Sequence, residues 1–149
     1  MENTENEHAE ELIMSIICAA METYYVDPNK SYEEELIEEI GGFVAKIMRK
    51  DLQENDSEDY MSEELETNLH LVQSDEKAAK SMAHQYLLKA TEVNKVIVGT
   101  VIKRIMSYND FESSKQLNFF NEYCAHYDVN KEKIDVKYAE LYGDILGDF

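Results

Sequence analysis

One proline and five glycines in 149 residues leave very few residues that make tight turns. A β-sandwich or barrel needs such a residue every few positions, because each short strand must reverse. Helices run long between turns, so this shortage points to an all-α chain. The remaining sequence agrees with that. Apolar residues at Ala9, Leu12, Ile13, Ile16, Ile17, Ala20 and Tyr24 recur at the i, i+3, i+4, i+7 spacing that makes one face of a helix. Thr4 and Glu7 match a capping box that would start this helix near residue 5, and it is expected to end near 25. Asp27-Pro28-Asn29-Lys30 reads as a turn. Ser31 and Glu34 form a second capping box, with Leu36, Ile37, Ile40, Val44, Ile47 and Met48 facing inward after it. Gly41-Gly42 inside this helix predicts either close approach by another helix or a bend.

Beyond the middle of the chain the pattern continues. Ser74 or Asp75 is expected to cap a helix carrying Ala79, Met82, Ala83, Tyr86, Leu87 and Ala90 inward. It either runs on through Ile105 or breaks near Thr91–Asn94. The β-branched stretch Val93–Ile105 is the one segment with strand character, and with no second strand to pair it is read as helix. Asn109 or Asp110 is expected to cap the next helix, with Phe111, Leu117, Phe120, Cys124 and Tyr127 inward. Asn130 caps the last, along which Ile134, Tyr138, Leu141 and Ile145 form a stripe. The expected fold is a compact, single-domain helical bundle of five to seven helices spanning 1–149.

Charge is the second constraint. Residues 1–76 hold 22 Asp and Glu against 4 Lys and Arg, whereas residues 77–149 hold 10 of each. The whole net charge of −18 therefore sits in the first half. A field this one-sided attracts basic partners and repels polyanions. It argues against direct nucleic-acid binding and against anionic membrane, since each phosphate contact needs a cation. Residues 51–66 carry eight acids and no base, and 51–62 are expected to be a mobile acidic loop.

Catalytic and metal signatures are missing from the sequence. His8, His70, His84 and His126 have no metal-ligand spacing, and His84 and His126 are expected to flank the core. Asp27, Asn29, Ser31 and Glu38 match part of a calcium loop, but Tyr32 stands where the loop needs glycine. The expectation is no enzyme, no cofactor and no metal. Cys18 and Cys124 are far apart and read as buried, reduced thiols. The acidic N-terminus lacks the basic start of a targeting peptide, so a cytoplasmic location is expected.

Two short resemblances stand beside this reading. Gln116-Leu117-Asn118-Phe119-Phe120 resembles the Gln-Leu-x-hydrophobic-Phe pentapeptide that bacterial sliding clamps bind as an extended segment. The helix–Asp-loop–helix around Asp27 is similar to part of the tellurite-resistance TerB-type helical domains, with Pro28 in place of their glycine.

The functional expectation is a non-enzymatic protein that docks its acidic half on the basic, nucleic-acid-binding surface of a protein partner. Its sharper form is a DNA mimic, of the sort viruses and mobile elements use to inhibit nucleases, restriction enzymes or CRISPR effectors. The residues that would carry it are Glu33, Glu34, Glu35, Glu38, Glu39, Asp56, Glu58, Asp59, Glu63 and Glu64. Carboxylates three or four apart on a helix stand about 5–6 Å apart at Cβ, close enough to present a ridge of negative charge. One alternative is a transcription or replication adaptor that docks through its tyrosine-rich C-terminal half and the tail Asp144–Phe149. Another is a helical homo-oligomeric structural subunit.

Overall fold

The structure, a computed structural model, describes residues 2–28, 30, 32–48 and 74–147. Among these residues the chain forms six α-helices and one 3₁₀ turn, with no strand. The helices are α1 (Glu2–Val26), α2 (Leu36–Met48), α3 (Glu76–Lys89), α4 (Glu92–Ser107), α5 (Ser114–Tyr127) and α6 (Lys131–Gly147). The 3₁₀ turn, Glu33–Glu35, leads directly into α2.

Two helices form the centre. Along α1 every residue from Leu12 to Ala20 is buried, and along α4 every residue from Val96 to Ile102. A helix that is apolar on all sides belongs inside a bundle rather than on its surface. α1 packs against α2, α3, α4 and α5, while α4 packs against α1, α5 and α6. This explains why the β-branched stretch is helical. Val96, Ile97, Val98, Val101 and Ile102 meet neighbours all round, and that burial outweighs their modest intrinsic preference. The polar residues caught in these helices bond backward to their own backbone. Ser15 donates to the carbonyl of Glu11 (2.9 Å), Thr23 to Ala19 (2.6 Å) and Thr100 to Val96 (2.7 Å).

Three start signals decide between the alternatives the sequence offers or act where it places them. Asp75 accepts from the Ala78 amide (3.1 Å) at the head of α3. Thr91 accepts from Asn94 (3.3 Å), which fixes the break between α3 and α4. Asn130 accepts from the amide of Glu132 (2.8 Å) as α6 begins. Each bond satisfies an amide that the helix cannot pair internally.

Several expectations need correction, among them Met82, expected inward on α3 and found 49% exposed. α1 starts at Glu2, so Thr4 lies inside its first turn and not at its cap. α5 is capped by Ser113, whose Oγ accepts from Gln116 (3.1 Å), rather than by Asn109 or Asp110. Those two residues belong to a turn in which Asp110 and Phe111 adopt positive φ (56° and 60°). The later start changes which side of α5 faces the core. Phe111 and Leu117 are each 45% exposed, while Gln116, Phe120, Tyr123 and Cys124 are buried. A Cβ added at Gly42 would meet nothing within 4 Å, so of the two reasons offered for Gly41-Gly42 the close helix approach is not seen at Gly42. The close approach occurs instead at Gly99 of α4, where a Cβ would lie 2.5 Å from Cδ1 of Ile134 on α6. The expectations for residues 51–66 and for Ser31 lie outside the described residues.

Candidate functional site

The acidic turn is fixed to the bundle by aromatic rings and one guanidinium. Tyr32, just before the 3₁₀ turn, is buried and stacks on Tyr108 at the end of α4, with ring centroids 3.5 Å apart and planes 15° from parallel. Arg104, one turn earlier on α4, lies over the rings of Tyr108 (4.9 Å) and Tyr142 of α6 (4.5 Å). Its Nη2 donates to the Tyr108 hydroxyl (2.9 Å) and its Nε to Glu39 of α2. Cation–π contacts of this kind contribute about 0.5–2 kcal/mol each, more where water is excluded. Burial works against the Arg104 charge. The Glu39 carboxylate outweighs it and holds the guanidinium firmly protonated. Burial pushes the Tyr32 hydroxyl well above its ordinary pKa, and the Glu39 charge adds to the effect.

A second anchor holds the chain on the other side of the turn. Gln116 is buried in α5, and its Nε2 donates to the carbonyls of Thr23 (2.9 Å) and Asp27 (3.4 Å) at the end of α1. Asn109 Nδ2 also donates to Asp27 (2.9 Å). The last carbonyls of a helix need such donors. The clamp-like pentapeptide is therefore helical, and its glutamine serves the fold.

The acids expected to meet a partner separate into groups. Glu33, Glu35 and Glu38 are exposed, and among the described residues no base pairs with them. Glu34 lies in the same turn. Glu39 is different. It is only about one-fifth exposed, and its carboxylate is held by Arg104 from the charge-neutral half. Asp56, Glu58, Asp59, Glu63 and Glu64 lie outside the described residues. Three other bases of the second half pair within it: Lys103 with Asp135 (2.5 Å), Lys133 with Glu92, and Lys137 with Glu140 (3.5 Å). Lys80 bridges to Glu22 (3.2 Å) and Glu76 (2.8 Å). Among the described residues, acids of the first half meet bases of the second at Glu22, Glu39 and Glu76.

The tyrosines near the C-terminus serve mainly the core. Tyr123, Tyr138 and Tyr142 are buried and Tyr127 is half-buried. α6 continues to Gly147, so most of the expected tail is helix. His84 and His126 do not flank the core; both are exposed, with rings 5.0 Å apart. His84 Nδ1 lies 2.7 Å from the Tyr127 hydroxyl. No group of three or more His, Cys, Asp or Glu among the described residues could hold a metal ion. Among the same residues no helix is long and apolar enough to cross a membrane. Comparison with protein-family models, curated proteins and solved structures finds no match to this chain.

Proposed function

We propose that this chain is a non-enzymatic protein that docks on the basic, nucleic-acid-binding surface of a partner protein through the acidic turn before α2. One observation supports this most directly. Glu33, Glu35 and Glu38 project into solvent from a segment locked in place by Tyr32, Arg104 and Glu39. Carboxylates on an anchored turn lose little freedom when a Lys or Arg meets them, so each charge-assisted hydrogen bond contributes more of its strength to binding. The acids of 56–64 extend the same charge along the sequence. In its sharper form the surface stands in for DNA phosphates and blocks the partner's own substrate.

The test begins with partners captured from the native host and identified by mass spectrometry. A purified partner is then titrated with the wild-type chain and with the triple variant E33K/E35K/E38K. The wild type should bind more weakly as salt rises and should compete with duplex DNA. The triple variant should bind at least about tenfold more weakly. A partner held equally well by both, with no competition from DNA, refutes docking at this face.

A further inference from the structure

A second surface lies away from the acidic turn. α1, α3 and α5 enclose two adjoining hollows of about 700 and 610 Å³, which share Cys18, Glu22, Lys80 and Phe119. Each wall follows one face of its helix. Ser15, Cys18, Ala19, Glu22 and Val26 come from α1 at helical spacing. Glu76, Lys80, Ala83, His84 and Leu87 come from α3 in the same way. The hollows therefore join into a groove following α1 from Ser15 to Val26, roughly 16 Å at 1.5 Å per residue. Its floor is small and apolar (Cys18, Ala19, Ala83), and Tyr25 stands 59% exposed at one end.

We propose that this groove receives a cationic amphipathic helix of a partner protein. Three observations select that occupant. The length matches about three helical turns, enough to seat apolar anchors at i, i+3 or i+4, and i+7. No strand edge exists among the described residues to pair with an extended peptide, so the guest must satisfy its own backbone, as a helix does. The rim is acidic on balance: Glu22, Glu76 and Glu122 stand with one lysine, Lys80, which bridges Glu22 and Glu76, and with the imidazoles of His84 and His126. A second copy of this chain, with its own charge of −18, would be repelled there. This inference goes beyond the acidic-turn reading and stands without it.

The probe is a fluorescein-labelled peptide of roughly 18 residues, long enough for several turns, built from Leu and Lys with Leu on one helical face. Its control has the same composition with the stripe scrambled. Anisotropy is read at about 0.15 M salt to screen diffuse attraction. Ala125 and Glu122 are exposed on α5, so Ala125→Trp obstructs the groove and Glu122→Lys reverses its rim without entering the core. The striped peptide should bind at least about tenfold more tightly than the scrambled one, and each variant should weaken it about tenfold. The triple variant E33K/E35K/E38K should leave this binding within about twofold, which separates a failure here from a failure of the acidic turn. Equal binding of the two peptides overturns the proposal. So does binding unaffected by Ala125→Trp, or a wild-type dimer in sedimentation that Ala125→Trp makes monomeric.

Discussion

The same substitution, glycine to alanine, should have opposite signs at two places in this protein. At Gly42 an added Cβ meets nothing within 4 Å. Only the backbone term remains there. Gly42→Ala should stabilise the fold by about 0.5–1 kcal/mol, because the unfolded chain loses freedom and the helix does not change. At Gly99 the same backbone gain of about 1 kcal/mol is opposed by a clash. The new methyl would stand 2.5 Å from Ile134 Cδ1, 3.1 Å from its Cγ1 and 3.3 Å from Cε2 of Tyr123. Ile134 is fully buried, so its end carbon can retreat only into other core atoms. Overpacking of this kind costs about 1–3 kcal/mol, which leaves Gly99→Ala destabilising by up to about 2 kcal/mol. Ile134→Val removes the carbon at 2.5 Å. Alone it should cost about 0.5–1.5 kcal/mol. Combined with Gly99→Ala it should cost little more than it does alone, since the alanine methyl fills the space vacated. The coupling between the two changes should then be at least about 1 kcal/mol and favourable. The chain has no tryptophan, so urea unfolding is followed by circular dichroism at the helix band and extrapolated linearly. A Gly99→Ala variant more stable than wild type, or strict additivity with Ile134→Val, would refute the packing argument.

Three further outcomes follow from the same contacts. Burial pushes the Cys18 thiol up to about 12, with Glu22 adding to it, and burial likewise raises the Tyr123 and Tyr142 hydroxyls. The unfolded chain releases these protons near 8.5 for Cys and 10 for Tyr, so above about pH 9 the folded state holds more protons and stability drains as pH rises. The buried Tyr123 and Tyr142 should therefore ionise only together with loss of helix, and tyrosinate absorbance from these two, read as the difference between wild type and Tyr123→Phe or Tyr142→Phe, growing in a still-folded protein would count against this account. Arg104→Met strands the Glu39 carboxylate and should cost about 1–3 kcal/mol; pairing it with Glu39→Gln should recover part of the loss, and simple additivity in urea melts would show that the pair does not act as a unit. Asp128 ends α5 with φ of 55°, where a side chain is mildly strained; Asp128→Gly should stabilise by about 0.5–1 kcal/mol, and a fall in Tm would contradict that.

The sequence by itself determined the helical class and narrowed several helix ends to one or two candidates. Asp75, Thr91 and Asn130 cap where their side chains reach amides only two or three residues ahead, and signals of that range are complete in a short stretch of chain. The stripe at Leu12, Ile13, Ile16 and Ile17 was legible for the same reason. The tertiary structure decided which faces those helices turn, and to what. Ser15, Cys18 and Ala19 lie off the sequence stripe and are buried, because α3 and α5 cover the far side of α1. Phe111 and Leu117 are exposed because α5 starts at Ser113 and not at Asn109 or Asp110. Glu39 looks like its neighbours in the acidic run, yet it is the one turned onto Arg104, which lies far along the chain. The groove over α1 has no sequence signature, since its walls come from three separated helices. Propensity and capping energies are settled within a turn or two of backbone. Burial and ion pairing are sums over neighbours that only the folded arrangement supplies.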